Sequence, residues 1–178
     1  MFSMQDIDLL TWLNHNLIPF SLPVLRIISF STTAVSISIA LIALIISIRK
    51  RSETLRRKFY LLASVLIFSA IVSQGLKQLI YRERPFITHS FIEKYSDGGG
   101  SSFPSGHTLK AFAMATALSL LFSRKKIVIP VFVWAILVAY SRIALGVHYP
   151  SDVIAGVVLG TFLGWIIPRT SRKILSTG

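Results

Sequence analysis

The chain has 178 residues, of which 53% are hydrophobic and 15% charged, and its mean hydropathy is +0.67. A water-soluble domain of this length needs a more polar surface, so the composition indicates a small integral membrane protein with one domain, residues 1–178. Lys and Arg total 19 against 7 Asp and Glu, giving a net charge of +12. The absence of Cys excludes a disulfide framework and a thiolate metal site.

The N-terminal segment lacks the basic start of a signal peptide. Its leucines recur at helical spacing, and its polar residues lie largely elsewhere. The leucines are Leu9, Leu10, Leu13 and Leu17, and the polar residues are Asp6, Thr11, Asn14 and His15. This pattern predicts a short amphipathic helix that lies on the membrane surface rather than crossing it.

Five apolar runs follow, and a membrane-spanning helix needs about 20 such residues. The runs are 27–48, 59–76, 104–123, 127–141 and 153–167. The later runs are short, and they reach adequate length if each helix extends into the polar residues beside it. The predicted fold is therefore an all-α membrane bundle of about five transmembrane helices plus the N-terminal interfacial helix.

Basic residues lie mostly between these runs, in 49–58, 124–126 and 169–173. Such clusters favour the cytoplasmic side and contact anionic lipid head groups. No motif that reads DNA or RNA is present, so no nucleic-acid partner is expected. Five spans then place 77–107 and 142–152 together on the outer side. The predicted location is the bacterial inner membrane, with this face toward the periplasm or exterior.

The first polar stretch on that face is 77–85, which contains Lys77, Arg84 and Pro85. Arg offers a planar fork that suits a phosphate group, and Lys offers a point charge. Both could equally be interfacial cations that extend from a helix end toward water. Tyr81 and Arg82 have the same two interpretations, as phosphate-site residues or as interfacial residues.

The second stretch, 104–107, reads Pro-Ser-Gly-His. Ser105 is a good residue for the start of a helix, and the free backbone N–H groups of a helix start bind anions. Gly106 would allow close approach of a phosphate oxygen. The alternative is an ordinary helix cap followed by an interfacial histidine, His107.

The third stretch, 141–152, carries Arg142, His148 and Asp152. Pro150 suits the first turn of a helix, which would put Asp152 in that turn and His148 just before it. An acid so placed could orient the imidazole. A structural pair that holds the loop is the alternative. Glycines at 156, 160 and 164 predict close helix packing and an inward-facing Asp152.

Taken in order, the patterns Lys-x6-Arg-Pro, Pro-Ser-Gly-His and Ser-Arg-x5-His-x3-Asp resemble the three signature motifs of the type 2 phosphatidic acid phosphatase superfamily. The resemblance covers about 59–167 and matches every fixed position. Many bacterial members have six spans, whereas five are predicted here. This departure affects the N-terminal assignment and leaves the motifs intact.

The resemblance implies that His148 attacks phosphorus and forms a phosphohistidine, with Asp152 as its orienting partner. His107 would protonate the leaving oxygen and later help to activate water. The phosphate would be held by Lys77, Arg84, Ser105, Gly106 and Arg142. No metal or other cofactor is implied, and Glu83, Glu93 and Asp97 lack the spacing of a two-metal site.

The implied substrate is a membrane lipid phosphate, which makes the bilayer itself a partner. Candidates are lipid A 1-phosphate, phosphatidylglycerophosphate, undecaprenyl pyrophosphate and phosphatidic acid. A lipid-to-lipid phosphotransferase and a non-catalytic lipid-phosphate binder remain as alternatives. The segment 86–103 could form a lid whose aromatic residues contact acyl chains, or an ordinary loop. The sequence does not determine the oligomeric state.

Overall fold

The computed structural model describes residues 4–16, 21–122 and 124–176, and within those ranges the chain is all-α. Its helices are α1 (Met4–His15), α2 (Ser21–Arg49), α3 (Glu53–Leu79), α4 (Pro85–Thr88), α5 (Gly106–Phe122), α6 (Lys125–Ala144) and α7 (Pro150–Ser176). The predicted fold class is confirmed. Leu17, the last leucine of the predicted surface helix, lies outside the described residues.

Four of these helices are long and apolar enough to cross a membrane: α2, α3, α6 and the 150–170 part of α7. The fifth, α5, has 17 residues, at the short end of the usual range for a spanning helix. The helices also extend into the motifs as expected, since α3 continues past Lys77, α6 passes Arg142, and α7 begins before Asp152. The chain is a multi-pass membrane protein.

Helix α5 lies at the centre of the bundle, where it contacts α2, α3, α6 and α7. Apolar side chains along its length are buried, including those of Leu109, Met114 and Leu118. The surrounding helices instead expose large apolar side chains, such as Phe68 on α3 and Phe162 on α7. Those outer faces suit acyl chains, because in a bilayer no hydrophobic gain requires their burial within the protein.

The glycines of α7 bring that helix against α5. A side-chain carbon at Gly156 would lie 2.9 Å from the carbonyl oxygen of Ser105. One at Gly160 would meet the carbonyl oxygen of Leu109, and one at Gly164 that of Ala113. The predicted close packing is therefore confirmed, and it holds the start of α7 beside the start of α5.

The two ends of the bundle differ in chemistry. At one end, Ser52 caps α3 by accepting a hydrogen bond from Leu55 N, and the Lys58 ammonium lies 4.3 Å from the centre of the Phe122 ring. This end therefore carries the basic turns that follow α2 and α5. The opposite end carries the end of α3, the start of α5 and the connection from α6 to α7, so all three motifs meet there.

The predicted N-terminal helix forms as α1 and packs on that same end of the bundle. Leu10 and Asn14 are buried, and the Asn14 amide donates to the carbonyl oxygens of Glu93 and Ala144. Asp6 accepts hydrogen bonds from Ser151 N and Oγ. Leu9 is exposed. The helix therefore turns part of its polar face toward the protein, because buried backbone carbonyls there need donors.

Candidate active site

A cavity of about 780 Å³ opens at the end of the bundle where the motifs meet. Six of the eight predicted site residues line it: Lys77, Arg84, Gly106, His107, Arg142 and His148. The other two, Ser105 and Asp152, are buried directly behind its wall. The fold thus brings together residues that are up to 75 positions apart in the sequence.

His148 lies in the short connection between α6 and α7, and its side chain is 2% exposed. The connection turns at Gly146, where φ is +72° and an added side-chain carbon would collide with the carbonyl oxygen of Glu93. Only glycine fits this turn without strain. Burial lowers the pKa of His148 to about 3, although Asp152 acts in the opposite direction. The imidazole is therefore neutral at pH 7.

Asp152 is fully buried behind His148, with Oδ2 3.7 Å from His148 Nδ1. This distance is too long for a direct hydrogen bond. Ser102 lies between them: its hydroxyl donates to Asp152 Oδ2 at 2.5 Å and lies 3.4 Å from His148 Nδ1. Asp152 Oδ2 also accepts from Tyr149 N at 3.0 Å.

The sequence analysis missed Ser102. Its signal was weak, because Ser102 precedes the second motif in a run of Gly and Ser that reads as a loop. Only the approach of this loop to the start of α7 places its hydroxyl beside Asp152.

Arg82, whose role the sequence left open, holds the other carboxylate oxygen. Its Nη1 lies 2.5 Å from Asp152 Oδ1 and 2.8 Å from Ser151 Oγ. The guanidinium also stacks on Tyr149, 3.7 Å from the ring centre, and lies 3.6 Å from Asp6 of α1. Arg82 therefore neutralises the buried acid and ties α1 to the base of the site.

Lys77 and Arg84 line the cavity and also hold one of its walls. The Lys77 ammonium donates to the Ser101 carbonyl oxygen at 2.6 Å. The Arg84 guanidinium donates to the carbonyl oxygens of Gly99, Gly100 and Val147. Burial lowers the pKa of Arg84 from its usual value, and the charge of Asp152 acts in the opposite direction. Both cations thus fix the glycine loop against His148.

Arg142 is the most deeply buried of the cavity cations, at 2% exposure. One of its terminal nitrogens donates to Ser29 Oγ of α2. Its Nε is buried and has no hydrogen-bond partner among the described residues. A buried donor without a partner is costly, so this nitrogen is suited to an anion in the cavity.

The second motif forms the start of α5 as predicted. Ser105 lies just before the helix, but its hydroxyl pairs with Thr108 Oγ1 at 2.9 Å and its backbone N donates to the Asp152 carbonyl oxygen. Gly106 lines the cavity, and a side-chain carbon there would lie 2.8 Å from Ser73 Oγ. Its lack of a side chain thus also allows α3 to approach α5.

The segment 86–103 packs on the protein. Phe86 and Tyr95 join the buried cluster of Leu25, Leu145 and their neighbours, and the Tyr95 backbone N donates to Leu145 O. These two rings therefore pack in part against the protein, and the two alternatives for the segment, a lid or an ordinary loop, both stay predictions. Among the described residues, no group of three or more His, Asp or Glu side chains could hold a metal ion.

Comparison with known proteins identifies the family. The model of the PAP2 superfamily matches residues 57–175, so the chain belongs to this superfamily. The undecaprenyl-diphosphatase BcrC of Bacillus subtilis is 34% identical over 146 residues, which are 82% of this chain and 74% of that protein. The lipid A 4'-phosphatase of Bacteroides thetaiotaomicron is 36% identical over 92 residues, and the chain spans only 41% of its length.

Comparison of the fold with solved structures supports the same family assignment. The crystal structure of Aquifex aeolicus LpxE superimposes with a TM-score of 0.82 and 26% identity, covering 94% of this chain and 96% of that one. The resemblance stated from the sequence is therefore confirmed. The predicted class of enzyme, a membrane-bound lipid phosphatase, is also confirmed at the level of the family.

Proposed function

We propose that this protein removes a phosphate group from a membrane lipid through a phosphohistidine formed on His148, without a metal ion. The observation that carries the proposal is the cavity itself, where one neutral, buried histidine faces Lys77, Arg84 and Arg142. Fixed cations around a reacting phosphate are a major source of catalysis, because they stabilise charge that develops in the transition state.

In the proposed reaction, His148 is the nucleophile. Its Nδ1 faces Ser102 and Asp152, which leaves Nε2 to attack from the cavity. The Nε2–phosphorus bond forms as the bond from phosphorus to the lipid oxygen breaks, and that oxygen receives a proton from His107. The imidazole becomes positively charged in this step, and Asp152 behind it offsets that charge. Water activated by His107 then cleaves the phosphohistidine and releases inorganic phosphate.

The phosphate oxygens would be held by the three cations and by the N–H groups at the start of α5. Arg142 has the strongest support as a direct ligand, because its buried Nε has no partner among the described residues. Gly106 supports a backbone contact, since it lines the cavity at the first residue of the helix. Ser105 is a supporting residue, since its hydroxyl is paired with Thr108.

A lipid suits this cavity because its other side is apolar. Phe30 of α2 and Ala70 of α3 line the cavity away from the motifs. Near the basic end, α2 packs against α3 through Ala40, Ala43 and Leu62. Near the site, Leu25 of α2 belongs to a buried cluster with Leu145, just after α6. Because Phe30 of α2 and Ala70 of α3 both line the cavity, we propose that a lipid enters between these two helices.

The site is proposed to face the periplasm or exterior from the bacterial inner membrane. The support is the charge distribution, since the turns after α2 and α5 are basic and lie at the opposite end of the bundle.

The test is inorganic phosphate release by the purified protein in detergent with EDTA present. The panel comprises lipid A 1-phosphate, phosphatidylglycerophosphate, undecaprenyl diphosphate and phosphatidic acid. We expect release by the parent, and a loss of at least about 10³-fold in His148→Ala. Brief reaction with a ³²P-labelled lipid should label the parent protein in an acid-labile, base-stable form and leave His148→Ala unlabelled.

Other outcomes would redirect the assignment. His148→Ala acting at the parental rate would overturn the mechanism. Phosphate found on an acceptor lipid rather than in solution would indicate a phosphotransferase with the same site. Tight lipid-phosphate binding without turnover would indicate a binder.

A further inference from the structure

A cation outside the three motifs lines the same cavity. Lys110 lies on α5 three residues after His107, and both side chains face the cavity. Residues three apart are neighbours on one helix face, and Lys110 is about 4.5 Å further along the helix axis. Since α5 runs from the site toward the basic end of the bundle, Lys110 lies deeper in the membrane than His107.

The charge of Lys110 is not neutralised by an acid in the described part of the chain. Its ammonium donates one hydrogen bond, to Thr33 Oγ1 of α2 at 2.9 Å. None of the ion pairs found among the described residues includes Lys110. A charged side chain within a membrane helix is costly and indicates a functional site when it faces a polar cavity.

The cavity that Lys110 lines also has polar and apolar side chains on its wall. Gln74 and Gln78 of α3 line the cavity one turn apart, and Phe30 lies on the α2 side. A ligand in this cavity can therefore meet amide donors as well as the Lys110 ammonium. Phe30 and Ala70 add apolar wall to the cavity, as an acyl or isoprenoid chain requires.

We propose that Lys110 binds a second phosphate, adjacent to the phosphate that is removed and carried by the leaving part of the lipid. The inference rests on the proposed function, in which His107 protonates the leaving oxygen. The group next to that oxygen lies on the lipid side, which is the side of Lys110. In a lipid diphosphate the bond from phosphorus to the bridging oxygen breaks, and that oxygen keeps the bonding pair and takes the proton of His107. Lys110 offsets the negative charge that remains on the other phosphate oxygens of the lipid monophosphate.

The proposal separates the candidate substrates into two groups. A lipid diphosphate carries a second phosphate directly on the leaving oxygen, and phosphatidylglycerophosphate carries a phosphodiester close to it. Phosphatidic acid has a neutral leaving group. The enzyme should therefore prefer lipids of the first group, and Lys110 should be the origin of the preference.

The experiment compares kcat/KM on matched lipids for the parent, Lys110→Met and Lys110→Arg. One pair is phosphatidylglycerophosphate and phosphatidic acid with the same acyl chains, and the other is undecaprenyl diphosphate and undecaprenyl monophosphate. Lys94→Met is the matched control, because it removes one positive charge from the same end of the protein. Lys94 lies over the Phe86 ring, outside this cavity.

In Lys110→Met we expect the ratio of kcat/KM between lipids with and without the second phosphate to fall by about tenfold or more. Lys110→Arg should retain most of the ratio, and Lys94→Met should leave it within about twofold. If the ratio falls in only one pair of lipids, that pair shows whether Lys110 binds the second phosphate of a diphosphate or a phosphodiester.

An unchanged ratio in Lys110→Met, from protein with parental elution and melting temperature, would overturn this inference and leave the proposed function standing. An equal loss of kcat/KM on all lipids in Lys110→Met would also overturn this inference and leave the proposed function standing. A parent that releases phosphate from no lipid would overturn the proposed function, and with it the role of Lys110.

Discussion

Replacing Ser102 with Ala removes the hydroxyl that lies between Asp152 and His148. In the structure this hydroxyl donates to Asp152 Oδ2 at 2.5 Å and lies 3.4 Å from His148 Nδ1. The carboxylate and the imidazole are themselves 3.7 Å apart, so the hydroxyl links them better than direct contact does. We therefore expect Ser102→Ala to impair catalysis through His148 while phosphate binding is largely retained.

The size of the effect follows from what remains around Asp152. The carboxylate keeps its hydrogen bonds from Arg82 and from Tyr149 N, so its position and charge persist in the variant. One hydrogen bond to a charged group is lost, which is about 1.5–3 kcal/mol. We expect kcat to fall about 10- to 100-fold with little change in KM. Replacing Asp152 itself should cost far more, up to about 10⁴-fold by analogy with catalytic triads.

The assay is phosphate release under saturating and limiting lipid, with Ser96→Ala as the matched control. Ser96 is a buried serine of the same loop whose hydroxyl has no hydrogen-bond partner in the described part of the chain. It should keep parental kcat. Parental kcat in Ser102→Ala would refute the role of the hydroxyl. A loss as large as that of His148→Ala would show that Ser102 does more than position the imidazole.

Two further predictions concern stability. His148→Gln should reduce the pH dependence of the free energy of unfolding. The pKa of His148 is about 3 in the folded protein and about 6.5 in the unfolded chain, so the parent loses stability as the pH falls below about 6.5. Between pH 7 and 5 the parent should lose about 2 kcal/mol more than the variant, and parallel melting curves across this range would contradict the shift. Gly160→Ala should destabilise the bundle by about 1–3 kcal/mol in thermal melts, because the added carbon meets the Leu109 carbonyl oxygen. Gly75→Ala, which meets nothing within 4 Å, should be neutral or stabilising, and equal effects of the two would refute the packing argument.

The sequence predicted the membrane helices well, because apolar runs of spanning length have few alternatives in a bilayer. It also predicted that helices reach into the motifs, which Lys77, Arg142 and Asp152 now illustrate. For α1 the tertiary structure added contacts that the sequence did not predict. Its leucine spacing predicted a surface helix, and the structure adds hydrogen bonds from the Asn14 amide to the carbonyl oxygens of Glu93 and Ala144. Helical periodicity shows that a helix has an apolar face, but it does not show whether lipid or protein covers that face.

Residue type and order singled out the cations, the two histidines and the acid, because polar groups are out of place at the edge of apolar runs, and the resemblance to the superfamily implied their roles. The tertiary structure decided how they connect. It placed Ser102 between Asp152 and His148, assigned Arg82 to the buried acid, and turned Lys110 into the same cavity as His107. Such contacts depend on the approach of segments that are distant in the chain, here set by the glycines that hold α7 against α5. The spacing of these glycines predicts that α7 packs closely against a neighbour, but only the tertiary structure shows that the neighbour is α5.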